Sequence, residues 1–198
     1  LVTFFTATIP NSTLNVRARQ IDIDDRVSAG NTDVNLTATN TVRFNADSGY
    51  TTVDGALTVL TTGASSGDFQ GIRVQNGVTV ETTGTGNISL SGTGCRDTAA
   101  ISDLHGGHIN GTVQSTSTAS DAGTITINGS GGVGQNRRHG VVITGEVLSA
   151  AGDIEITGQN RSGVGEGIVL TSGQIGGDAS TADITLITDT IDLAGGEI

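Results

Sequence analysis

One short phrase, Gly-x-Ile-x-Ile/Leu-x-Gly, keeps returning along this chain. It reads Gly86-Asn87-Ile88-Ser89-Leu90-Ser91-Gly92, then Gly123-Thr124-Ile125-Thr126-Ile127-Asn128-Gly129, then Gly152-Asp153-Ile154-Glu155-Ile156-Thr157-Gly158. A looser copy runs Ala182-Asp183-Ile184-Thr185-Leu186-Ile187-Thr188. In each copy two apolar residues face one way and the polar residues the other, the period-two pattern of a half-buried strand. The copies begin 37, 29 and 30 positions apart. Repetition at that period constrains the fold more than any single residue does, because one unit is being stacked on itself.

Between copies lie two weaker strand signals. Gly140-Val141-Val142-Ile143-Thr144-Gly145 and Glu146-Val147-Leu148-Ser149 follow the second copy; Gly167-Ile168-Val169-Leu170-Thr171 and Gln174-Ile175-Gly176 follow the third. Three strands and three corners in about 30 residues predict a triangular parallel coil, each turn about 4.8 Å above the last. About six coils would make a rod roughly 30 Å long. The chirality of parallel connections makes such a β-solenoid right-handed. The amphipathic stripe of a helix is absent, and Gly at 31 of 198 residues, with one Pro and abundant Thr and Ser, suits strands with tight corners. A β-sandwich also has many short strands, but the order here repeats rather than mirrors.

The expected core is two stacked rows, Ile88, Ile125, Ile154 and Ile184, then Leu90, Ile127, Ile156 and Leu186. Regular coils are expected over 55–198, with one enlarged loop at 93–122. Residues 1–54 read as irregular or degenerate coils, a potential edge cover; Ile21-Asp22-Ile23-Asp24 and Asp33-Val34-Asn35-Leu36-Thr37 alternate correctly there. The ends, Leu1 and Glu197-Ile198, read as cut rather than capped, either at an arbitrary boundary or as those of a segment of a longer, processed protein.

The formal net charge of −11 argues against nucleic acid, since Arg137-Arg138 is the single adjacent basic pair. Cys95 is the lone cysteine, so no intrachain disulfide is expected. No apolar run is long enough for a membrane-spanning helix.

Three clusters deserve a chemical reading. Asp103-Leu104-His105-Gly106-Gly107-His108, with Cys95 and Asp97 upstream and His139 one coil on, has the residue types of a transition-metal site. On a strand, however, positions 105 and 108 put their rings on opposite faces, and a solvated corner is the expectation. Asp22, Asp24 and Asp25, with Asp33 nearby, form the densest carboxylate group. Alternation would hold Asp22 and Asp24 about 7 Å apart on one face, and Ca²⁺ is the cation such a group would take; a solvated outer face is expected instead. Asp24-Asp25 and Arg138-His139-Gly140 loosely resemble the Asp-Asp and Gly-His-Gly elements of polygalacturonases, without the second basic element, since the chain has no Lys. Single copies of Gly131-Gly132-Val133-Gly134-Gln135-Asn136 and of Thr37-x-Thr39 and Thr124-x-Thr126 fall short of calcium-binding rolls and ice-binding rows. No catalytic, cofactor-binding or metal residue is assigned, and no cofactor is expected.

The Gly-bounded strands, as in Gly152–Gly158 followed by Gly167-Ile168-Val169-Leu170, resemble repeats of filamentous-haemagglutinin-like and β-strand-repeat bacterial exoproteins over about residues 55–198. That resemblance implies an extracellular or cell-surface β-helix rod, structural or adhesive, whose partners are neighbouring repeats end to end or surface glycans. The alternative is a carbohydrate-active β-helix, either a polysaccharide lyase or hydrolase or a carbohydrate-binding module.

Overall fold

The alternating segments become strands that climb three faces of one stack, and every strand ladder is parallel. The structure, a computed structural model, describes residues 1–4, 7–8, 12–63, 67, 69–96, 104–133, 138–161, 163–177 and 180–198. Among these residues there is no helix. The fold is an all-β parallel solenoid, as the repeated phrase predicts.

The first face holds the repeated phrase. Its strands are Leu57–Thr61, Ile88–Thr93, Ile125–Ser130, Ile154–Gln159 and Ile184–Thr188, preceded by the first halves of Leu14–Ile23 and Val34–Phe44. The second halves of those two long strands bend onto the second face. They are followed there by Ile72–Val74, Gly107–Ile109, Val141–Ile143, Ile168–Leu170 and Ile191–Asp192. The third face carries Arg26–Gly30, Gly49–Thr52, Thr79–Thr82, Thr112–Ser115, Glu146–Ser149 and Gln174–Gly176.

Both expected rows form in the expected register, Ile88 on Ile125 on Ile154 on Ile184 and Leu90 on Ile127 on Ile156 on Leu186. They extend through Leu57 and Val59 to Val34 and Leu36, so the same core runs through the part of the chain below residue 55. Full burial of each such side chain stabilises the stack by about 1.5–3 kcal/mol.

Successive residues of the first row are 20, 23, 31, 37, 29 and 30 positions apart. The corner leading back to the first face runs from three residues (31–33) to nine (116–124), and the corner between the first and second faces varies most. The latter holds a single residue, position 19, in the earliest of these coils, and residues 62–71, 94–106, 131–140 and 160–167 in later ones. The segment expected as one enlarged loop, 93–122, contains two further strands, Gly107–Ile109 and Thr112–Ser115. They are too short, and too poor in large apolar residues, to stand out by periodicity.

The glycines of the repeated phrase are where coils touch backbone to backbone. A Cβ at Gly129 would sit inside the van der Waals radius of the Gly140 carbonyl and against the Val141 side chain. The mouth of the first corner closes at that point. Gly107 is the opposite case. It takes an inner position between Ile72 and Val141, and a Cβ there would meet no atom within 4 Å.

The third corner is held by carboxylates and amides. Ala56 donates its N–H to Asp33 Oδ1 (2.9 Å), Thr124 to Asn87 Oδ1 (2.9 Å) and Asp183 to Asp153 Oδ1 (3.1 Å). The polar residue inside Gly-x-Ile thus accepts the amide of its counterpart one coil later. Inside the same corner stands a row of buried hydroxyls. The single proton of Thr52 Oγ1 is shared between Gly30 O (2.8 Å) and Gly55 O (2.7 Å), and Thr82 Oγ1 donates to Val53 O (3.1 Å).

Gly129→Ala is expected to cost about 2 kcal/mol or more, because the new methyl meets backbone that cannot yield. Gly107→Ala should instead gain about 0.5–1 kcal/mol by filling space and restricting the unfolded chain. Thermal melts of the two variants beside the parent check both signs; shifts in the same direction would refute the packing described.

Candidate functional site

The long first corners of the middle coils pile into a lobe beside the second face. Their backbones hydrogen-bond coil to coil, Cys95 N to Phe69 O (3.3 Å), Gly132 N to Leu104 O (2.9 Å) and Arg138 N to Val164 O (3.1 Å). Cys95, Leu104, His105, Arg138 and His139 are buried in it. Beneath lies the outward column of the second face, in the order Asp22, Arg43, Arg73, His108, Val142 and Val169. Asp22, Val142 and Val169 point away from the coil interior and are nevertheless buried.

His105, His108 and His139 meet at this seam. The His105 ring lies 5.6 Å from His108, edge-on, and 5.1 Å from His139, tilted. The expectation of rings on opposite faces and a solvated corner is therefore corrected. His105 belongs to the returning lobe rather than to the strand Gly107–Ile109, so strand alternation does not relate the two residues. Glu166 donates its N–H to His139 Nδ1 (2.8 Å), which leaves the proton of a neutral His139 on Nε2. That tautomer offers no lone pair to a metal. Among the described residues no three His, Cys, Asp or Glu side chains are grouped to hold a metal ion. Cys95 Sγ donates to Gly67 O (2.8 Å) as a thiol, while Asp97 and Asp103 lie outside the described residues.

Burial pushes His105 down to about 3, and the nearby His139, His108 and Arg138 add to the shift. His105 is 5 % exposed, and its Nδ1 has no hydrogen-bond partner.

The aspartate group is taken up by the fold. Asp22 receives a two-pronged contact from Arg43, Nε to Oδ1 at 2.7 Å and Nη2 to Oδ2 at 3.1 Å, plus Gln20 Nε2 at 2.8 Å. Burial alone would push the Asp22 carboxyl up, but the hydrogen bonds from Arg43 and Gln20 with the Arg43 charge outweigh it and hold it low. Asp24 accepts the Asn45 side-chain amide, and Asp25 accepts the Arg26 N–H at 2.7 Å. Asp22 is thus buried rather than solvated, and each of these carboxylates has its own protein donor. No shared cation site results from this arrangement. The signal for it was present but long-range: Arg43 and Asn45 follow Asp22 and Asp24 by 21 residues each.

Asp24-Asp25 and His139 are not neighbours. They occupy different corners, four coils apart, about 19 Å along the stack at the strand spacing. Thr126 is followed in its outer row by Glu155, which interrupts the hydroxyl surface. Gly134–Asn136 and Arg137 lie outside the described residues.

Sequence reasoning did not single out the groove along the second corner. It has a volume of about 800 Å³ and is lined by Asn110, Thr112, Thr144, Glu146, Gln174 and Glu197 among others. Thr144 Oγ1 donates to Asn110 Oδ1 (2.7 Å) and Thr112 Oγ1 to Glu146 Oε2 (3.1 Å), so its wall is pre-ordered by hydrogen bonds between coils. Comparison with family models, with curated proteins and with solved structures finds no match for this chain.

A neutral buried imidazole has a pH signature. The unfolded chain protonates His105 below the ordinary value of 6.5, while the folded chain resists down to about 3. Its contribution to stability is complete above that upper value and is lost as pH falls toward the lower one. His105→Gln copies Gln70, the residue at the equivalent place one coil earlier, and should flatten the dependence of melting temperature on pH between about 6.5 and 4. Parallel pH profiles for the variant and the parent would exclude this role.

Proposed function

We propose that the chain is a structural or adhesive segment of a secreted or cell-surface protein, a rod that continues end to end with neighbouring coils. The observation that carries this reading is the match between the two ends of the first face. At one end Leu14 and Val16 are half-buried, and at the other Ile184 and Leu186 are half-buried. These four belong to the same two inner rows, so a coil laid on either end would extend both rows and pair a free strand edge. Around the later end Ile187, Ile191, Leu193 and Ile198 are exposed, Ile198 by 60 %. A contact between unlike ends does not close on itself, and it propagates as a filament. The style of repeat shared with filamentous-haemagglutinin-like exoproteins supports an extracellular setting.

A second reading, a carbohydrate-binding or carbohydrate-active β-helix, is favoured by the hydrogen-bonded groove along the second corner, which carries Glu146 and Glu197. Tyr50 and Phe44 are buried in the core and give it no ring on which a sugar could stack.

Sedimentation and electron microscopy across a concentration series distinguish the two. Coaxial oligomers that grow with concentration are expected. Leu186→Lys, which places a charge in the inner row at the stack end, should weaken association about tenfold or more. A chain that stays monomeric at every concentration and cleaves or binds oligosaccharides would replace the first reading with the second.

A further inference from the structure

We propose that Arg73 and Gln70, at the mouth of the lobe, form a binding site for a hydroxy-carboxylate, either a small hydroxy acid or an acidic sugar residue. The starting point is a charge imbalance. In the outward column Asp22, Arg43 and Arg73 stand at successive strand spacings. Asp22 and Arg43 satisfy one another through two hydrogen bonds. Arg73 comes next and has neither a hydrogen bond nor a salt bridge among the described residues, and its Nε is buried without a partner. Twenty acidic residues are available in the chain against nine arginines, yet the place beyond Arg73 in the column is His108. A buried guanidinium N–H left unmet is destabilising, and an orphaned polar atom of this kind is one that a ligand can complete.

The second half of the site is an acceptor. Gln70 is aligned with His105 through the bond from Gly71 N to His105 O (3.0 Å), just as Arg73 is aligned with His108. Gln70 and Arg73 therefore repeat, one coil earlier, the relation that brings the His105 and His108 rings to 5.6 Å. Gln70 Oε1 is buried without a partner, and so is Nδ1 of His105 beside it. Arg73 needs an anionic acceptor, whereas Gln70 Oε1 needs a donor. A carboxylate carrying a neighbouring hydroxyl supplies both, with the planar carboxylate matching the guanidinium fork. Acetate satisfies only the first requirement, and a neutral sugar only the second. The site does not depend on end-to-end assembly.

The test is titration of the ¹⁵N-labelled chain with glucuronate, lactate, acetate and glucose, following side-chain Arg Nε–Hε resonances and melting temperature. The Arg73 resonance, assigned by its loss in Arg73→Lys, should shift saturably with glucuronate or lactate, less with acetate and not with glucose. Arg73→Gln should weaken binding about tenfold or more, and Arg161→Gln, at an exposed loop position, should leave it unchanged. Glucuronate binding without lactate binding would identify the source as an acidic glycan; the reverse would identify a free acid. If Arg73→Gln does not fold, the wild-type Arg73 resonance decides alone. No saturable shift at Arg73, or equal shifts with acetate and the hydroxy acids, would overturn the proposal. Loss of filament growth in Leu186→Lys with this binding intact separates it from the assembly reading.

Discussion

Backbone-to-backbone contact between coils is the constraint from which the rest follows. Three parallel ladders share one rise of about 4.8 Å per coil, so each turn must meet its neighbour on every face at once. Where the chain enters the first face there is one place with no room for a side chain, and the row Gly86, Gly123 and Gly152 marks it. With the corners held so closely, aliphatic side chains inside have one choice of register. Isoleucine stacks on isoleucine because the glycines on either side of it stack on glycines.

This explains which parts of the molecule could be read from sequence. The first face was legible because its strands are long enough to show alternation and are bracketed by glycine. The second face was harder: Val141–Ile143 and Ile168–Leu170 are buried throughout, since the lobe covers the outer side, and a uniformly apolar triplet has no period. Gly107–Ile109 was hidden for the reverse reason, having a single large apolar residue. The histidine seam was misread because a local rule was applied across a boundary; His105 ends a loop and His108 sits in a strand. The Asp22–Arg43 pair joins residues one coil apart, a distance that becomes meaningful once the coil length is known.

The polar residues divide by the same geometry. Those at the corners are spent on amides of the next coil, as Asp33, Asn87 and Asp153 show. Much of the acidity that would suggest cation binding is therefore structural. In the lobe and on the face beneath it, Arg73, Gln70 and His105 each keep a buried atom unmatched, as Ser48 and Ser115 do elsewhere in the stack.

The most elastic corner has a consequence for how such a molecule can change over time. The corner between the second and third faces keeps to two to four residues, while the corner leading back to the first face reaches nine. At the corner between the first and second faces the chain goes from one residue to thirteen without disturbing the ladders on either side. Lengthening this corner thickens the rod without altering its pitch. New surface can therefore be drafted, trimmed or replaced on one flank while the scaffold keeps its axial metre.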